Sequence, residues 1–291
     1  MQCTSVADMA LTGTNEAKTP TESVRRHGRT WAAVFTTNGS VRGATYIPLM
    51  PGPMSEDARQ LVNGLPPGRL VGPCRDPHPV VWMSDGPVAH AADWWKRLYA
   101  RRLESGLYPI LLEYPDDSFE PAGGGHGADI DAASYLRSRW TDDSWPSFQE
   151  WPGLARPAVT STDVDACAGE VASAVARDGR ARCLALVQVS RGADAPAAVG
   201  WSGMSNHMTA RELSAVLRSW EDRFGLRIVG FGHGSLYVSV AGRPADVQQA
   251  QVLAAEHYLA CPDVFFMDPD LDWSTYHEDL MTRGDWWFWW D

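Results

Sequence analysis

The chain has 291 residues, 44% of them hydrophobic, enough to bury one large core or two smaller ones. It carries 36 acidic against 25 basic residues, a formal net charge of −11. That balance weighs against a general nucleic-acid or anionic-membrane binder, which needs Lys and Arg to meet phosphates; a local basic patch would evade the argument, but no long Lys/Arg run is present.

From the N-terminus, "MQCTSVADMALTGTNEAKTPTESVRRHGRT" lacks the basic-then-apolar order of a secretory signal, and residues 1–28 read as a polar, disordered tail. In "TWAAVFTTNGSVRGATYI", Asn38-Gly39 sits between two β-prone runs. It predicts a hairpin, because both turn positions need positive φ. A short helix is expected over residues 55–62. "VVWM" (80–83) reads as a buried strand, and Asp85-Gly86-Pro87 opens a helix with proline in its first turn. Val88, Ala91, Ala92, Trp95, Leu98 and Tyr99 share one face of that helix, and Gly106 ends it. "LYPILLEY" follows as a strand. Pro109 lacks an amide donor there, so an edge position or a bulge is expected. "PDDSFEPAGGGHGA" (115–128) is a flexible loop by composition. Trp140, Trp145 and Trp151 mark residues 140–157 as a connector pressed onto a surface, with a soft boundary near Arg156.

A helix over 162–177 presents Val164, Cys167, Ala168, Val171, Ala174 and Val175, and "CLALVQV" (183–189) is a strand. Thr209 and Glu212 stand in capping-box spacing, ahead of an apolar stripe of Leu213, Val216, Leu217, Trp220 and Phe224. Glu221 and Asp222 then fall on the solvated face. "LRIVGF" and "SLYVSV" are strands around a Gly232-His233-Gly234 turn. A long helix runs from Pro244 to near Cys261, and a shorter one spans 272–282. "GDWWFWWD" closes the chain as a last strand, with Trp286, Phe288 and Trp290 on one face and Trp287 and Trp289 on the other. The order β-α-β-β-α-(α)-β over 157–291 is a split βαβ, ferredoxin-like arrangement. The expected architecture is α+β: this half packs with, or is extended by, a smaller α/β N-terminal half at 29–156.

"LPPGRLV", "VVWMSDGPV", "SGLYPILLE", "ALVQVSRGADAPAAVGWSG", "LRSWEDRFGLRIVGFGHGSLYVSVA", "AAEHYLACPD" and "WWFWWD" together resemble the domain-of-unknown-function family 4253, from about Leu65 to Asp291. The resemblance implies a bacterial protein and carries over no catalytic residue.

Trp287 and Trp289 are the first candidate site. A ferredoxin-like sheet has helices on one face, so the second face is either an aromatic platform or is covered by the N-terminal half. Covering is favoured, because large exposed apolar patches are rare on monomers. "VGWSGMSNHM" (199–208) carries Trp201, Ser202, Ser205, Asn206 and His207 near a helix N-terminus whose amides suit an anion. A loop docked by its tryptophan is the favoured reading, and G-W-S-G lacks the spacing of a nucleophile elbow. "GFGHGS" leads into a strand rather than a helix, so it is a hairpin turn and not a dinucleotide fingerprint.

His257 and Cys261 lie four apart on one helix, but no second His/Cys pair joins them, and "DPDLDW" lacks the glycine and closing glutamate of a calcium loop. No metal or other cofactor is expected. Five scattered cysteines without a C-x-x-C pair suit reduced thiols in a cytoplasmic protein. No apolar run reaches the roughly 18 residues of a membrane helix. The leading reading is a non-enzymatic binding protein of the immunity or accessory type, using Trp201, Asn206, His207, Trp287 and Trp289. A protein or a small apolar molecule is the expected partner, with neither nucleic acid nor membrane. It rests on the tryptophan surplus, since Trp favours interfaces, and on the lack of a motif with catalytic geometry. The alternative is a hydrolase working in a cleft between the two halves, with His207, His257 or His277 as general base.

Overall fold

A computed structural model describes residues 64–71, 81–115, 119, 127–141, 148–160, 163–266 and 272–291, and the backbone of two strands nearer the N-terminus. Those two, β1 (Ser23–Arg26) and β2 (Arg29–Ala32), pair antiparallel within a unit spanning Met1–Pro48. A strand therefore stands inside the stretch expected to be a tail. The Asn38-Gly39 hairpin, the helix at 55–62, Trp145 and most of the 115–128 loop lie outside the described residues.

The unit Leu49–Asp291 is built on seven strands: β3 (Gly68–Val71), β4 (Val81–Ser84), β5 (Leu107–Leu112), β6 (Cys183–Gln188), β7 (Leu226–Phe231), β8 (Ser235–Val240) and β9 (Asp285–Trp289). They form one mixed sheet in the order β3-β4-β6-β5-β7-β8-β9, parallel only at β5–β7. With its helices this is an α+β protein.

The ferredoxin-like order does not appear. It would put β8 between β6 and β7, whereas β5, from the N-terminal side of Arg156, occupies that place. The split βαβ lies earlier in the chain: β4 and β5 each pair antiparallel with β6 between them, so they run parallel to each other. The cause is in the residues of β5. "LYPILL" is buried at every position, and an unbroken apolar run needs cover on both faces, which a central strand has.

Pro109 is accordingly not on an edge strand. It sits opposite Leu186 of β6, and the β5–β7 ladder begins only at Leu111, beyond the missing amide. On β7 the Ile228 carbonyl instead accepts the Tyr108 hydroxyl at 2.9 Å.

Nine α-helices are described: α1 (Ala91–Ala100), α2 (Arg102–Ser105), α3 (Ala132–Arg139), α4 (Val164–Arg177), α5 (Ala195–Val199), α6 (Ala210–Phe224), α7 (Val247–Ala260), α8 (Asp263–Phe266) and α9 (Trp273–Thr282). Helices α3, α4, α7 and α9 start on Asp131, Asp163, Asp246 and Asp272, each side chain accepting an orphan amide. Thr209 and Glu212 form the expected capping box on α6. Helix α1 starts later than its proline suggests. The Val88 amide donates to the Arg182 carbonyl, and His90 takes a left-handed turn (φ 57°) before the helix begins. On α4 the buried face centres on Ala168, Gly169, Ala172 and Val175, rotated from the expected stripe. There the Lys96 stem of α1 lies where a Gly169 Cβ would sit 3.2 Å from it.

A buried ion pair ties the second half together. Glu256 on α7 is fully buried and takes two hydrogen bonds from Arg223 of α6 (2.9 and 2.6 Å), one from Trp220 Nε1 (2.9 Å) and one from the Ala155 amide (2.7 Å). Arg223 also donates to the Ala155 carbonyl at 2.8 Å. The aromatic connector at 148–158 is thus bonded to both helices, and its Trp151 packs 5.8 Å from Trp140. A buried charge is costly without partners, and this one has all its lone pairs engaged. Glu256→Ala should strand the Arg223 charge and lower stability by about 3–5 kcal/mol in urea denaturation; an unchanged midpoint would show that water reaches the pair.

Candidate functional site

Strand β9 closes one edge of the sheet, and its side chains alternate as a strand's must. Trp286 and Phe288 are buried, as is Trp290 just beyond. Phe288 stacks on Trp220 of α6 with ring centroids 5.4 Å apart, and Trp286 meets His257 of α7 at 4.4 Å. Trp290 Nε1 donates to the Ala260 carbonyl at 3.0 Å. Burial of each such side chain stabilises by about 1.5–3 kcal/mol, so the inner face alone holds the strand.

The outer face differs. Trp289 is half-buried, and Trp287 keeps 38% of its surface exposed. The five aromatics are therefore not all core, contrary to the favoured expectation. Helix α4 covers β7 and β8, and β9 lies one strand further out. In the β8–β9 register Tyr237 is opposite Trp287, and Ser235 opposite Trp289. Tyr237 donates its hydroxyl to Glu113 Oε1 at 2.6 Å. Neither Tyr237 nor Glu113 stands out in the sequence; the period of two along "SLYVSV" is the one signal that puts Tyr237 on this side.

The loop at 199–208 is held by more than its tryptophan. Trp201 is buried, stacks on Phe231 at 5.0 Å and donates to the Gly232 carbonyl at 3.0 Å, so it is core rather than a contact residue. Asn206 donates to the Asp291 carbonyl at 2.8 Å. His207 Nε2 lies 2.8 Å from Asp263 Oδ2, which also accepts the Asp291 amide at 3.0 Å. Asn206 and His207 thus grip the end of β9 from the loop side. At the helix N-terminus expected to suit an anion, Glu212 folds back to accept the Thr209 amide at 2.7 Å, and the Thr209 hydroxyl accepts the Glu212 amide at 3.3 Å. The five candidate residues converge on β9, but only Trp287 and Trp289 lie on its outer face.

Other candidates separate. His257 is fully buried with Nδ1 2.8 Å from the Tyr276 hydroxyl, while Cys261 Sγ donates to the Trp289 carbonyl at 3.0 Å, so the two serve different partners. Among the described residues no group of three His, Cys, Asp or Glu could hold a metal ion. Glu221 is not on a solvated face: it pairs with Arg191 (3.5 Å) and Arg227 (3.6 Å), and burial raises its pKa against their pull. Also among the described residues, no helix is long and apolar enough to cross a membrane.

Burial, reinforced by the nearby Arg223 charge, holds His257 well below the usual imidazole range; burial also lowers His277, partly offset by Asp272. An unfolded imidazole protonates near pH ~6.5. Below that pH the unfolded chain binds more protons, so stability is lost as pH falls, for His257 by up to about 1.4 kcal/mol per pH unit and for the less deeply buried His277 by less. Thermal denaturation at pH 7.5 and 5.5 should show this loss, and His257→Asn should flatten it. An identical slope in the variant would mean that His257 is protonated in the fold.

Comparison with curated proteins and with solved structures found no match. A family model does match, over the segment that holds β6 through β9 with the 199–208 loop between them. The family whose model matches residues 183–291 is described as Domain of unknown function (DUF4253), and over that segment the chain is similar to it.

Proposed function

We propose that this is a cytoplasmic, non-enzymatic binding protein of the immunity or accessory type that engages a protein partner through the outer face of β9. The observation that carries the reading is Trp287. It is 38% exposed at a sheet edge on a strand whose inner aromatics are all buried. Trp is costly to leave in water and is enriched where a partner covers it. The backbone there is positioned by the Asn206, His207 and Asp263 contacts at its end, so the surface needs little ordering on binding. The acidic balance disfavours nucleic acid, and free Cys167, Cys183 and Cys261 suit a reducing compartment.

A second reading has one observation in its favour. His207 keeps part of its ring exposed while Asp263 sits at 2.8 Å, the base-and-orienter pair that a hydrolase uses. His257 and His277 are buried in the core, out of reach of a substrate, which leaves His207 as the general base on this reading.

The two readings separate by experiment. Native mass spectrometry of the gently purified chain is expected to show a retained protein partner, and Trp287→Ala with Trp289→Ala should lose it while circular dichroism and Tm stay near wild type. An unfolded double variant, or one that still retains the partner, sinks the binding reading. A turnover that His207→Ala abolishes at unchanged Tm would establish the hydrolase instead.

A further inference from the structure

We propose that the outer face of β9, with Glu113 and Tyr237, docks a cationic side chain, Arg or Lys, on a basic surface of a protein partner. This deepens the binding reading and rests on it. The site is a row across the sheet. Glu113 follows the last residue of β5, and its amide donates to the Phe231 carbonyl at 3.1 Å, which carries the ladder one residue past the strand. Gly232 follows β7, and a Cβ there would lie 2.2 Å from the Glu113 carboxyl carbon. The glycine therefore leaves the space that the carboxylate fills as it reaches Tyr237 on β8. Tyr237 is opposite Trp287, so carboxylate, phenol and exposed indole lie in sequence on one face. Burial and the Glu113 bond both keep the Tyr237 proton on the phenol, and the Glu113 charge outweighs that of Arg180 at this hydroxyl.

A cation over an indole face is attracted by the ring quadrupole, and a carboxylate at the end of the row adds to that attraction. An apolar ligand would gain nothing from Glu113. A second copy would bring another net charge of −11 against the first. The charge complementarity points to a basic partner surface.

The test is a titration of the full chain with a seven-residue Gly/Ser peptide bearing one central arginine, and with its citrulline counterpart. Binding is followed by the indole N–H NMR signals of Trp287 and Trp289. The arginine peptide should shift these signals saturably, with the citrulline peptide at least tenfold weaker. Glu113→Gln, which keeps an acceptor for Tyr237, should weaken the arginine peptide at least fivefold. Equal binding of both peptides, indifference to Glu113→Gln, or no shift at millimolar peptide each overturns the proposal. If Trp287→Ala abolishes both peptides while Glu113→Gln changes neither, the surface still binds but the cation is wrong. A dimer in sedimentation velocity that Trp287→Ala dissolves would overturn it in favour of a second copy.

Discussion

The carboxylate of Glu256 sets the terms for everything around β9. It is fully buried, and its neutralising Arg223 comes from a different helix. The pair is stable only if α6, α7 and the connector at Ala155 stay in one arrangement, because each supplies a bond the charge cannot lose. Trp220 donates to the same carboxylate and offers its ring to Phe288. The polar centre of the core and the aromatic underside of β9 are thus one construction, and His257 is wedged between them, in ring contact with Trp220, Trp286 and Phe288.

That construction explains how an edge strand can carry an exposed tryptophan. Edge strands invite unwanted pairing, and proteins protect them. Here Cys261 Sγ caps the Trp289 carbonyl, Asp263 takes the Asp291 amide, and Trp290 is anchored to Ala260. The far end of β9 is closed by its own chain. What remains open is the face around Trp287, set beside Tyr237 and Glu113.

Local elements were legible where local chemistry decides them. Strands β7 and β8, the capping box of α6 and the two-faced β9 all follow from the residues in place. The stripe Leu213, Val216, Leu217, Trp220 and Phe224 is buried as its spacing requires. Strand pairing was not legible. Nothing in "LYPILL" says which strands flank it, so its insertion between β6 and β7 replaces the ferredoxin-like order. Glu221 was misplaced because its partners, Arg191 and Arg227, lie 30 and 6 residues away in sequence, on elements that meet it only in the fold.

Helix caps and strand alternation are properties of neighbouring residues, so the α+β class, the reach of most helices and strands, and the division of the terminal aromatics into two sets are written in the order of the residues. Which set is core is settled by packing between elements far apart in the chain. Burial of Trp286, Phe288 and Trp290 depends on Trp220 and His257 arriving from α6 and α7. The exposure of Trp287 depends on β9 being the outermost strand, a matter of long-range pairing on which its own residues are silent.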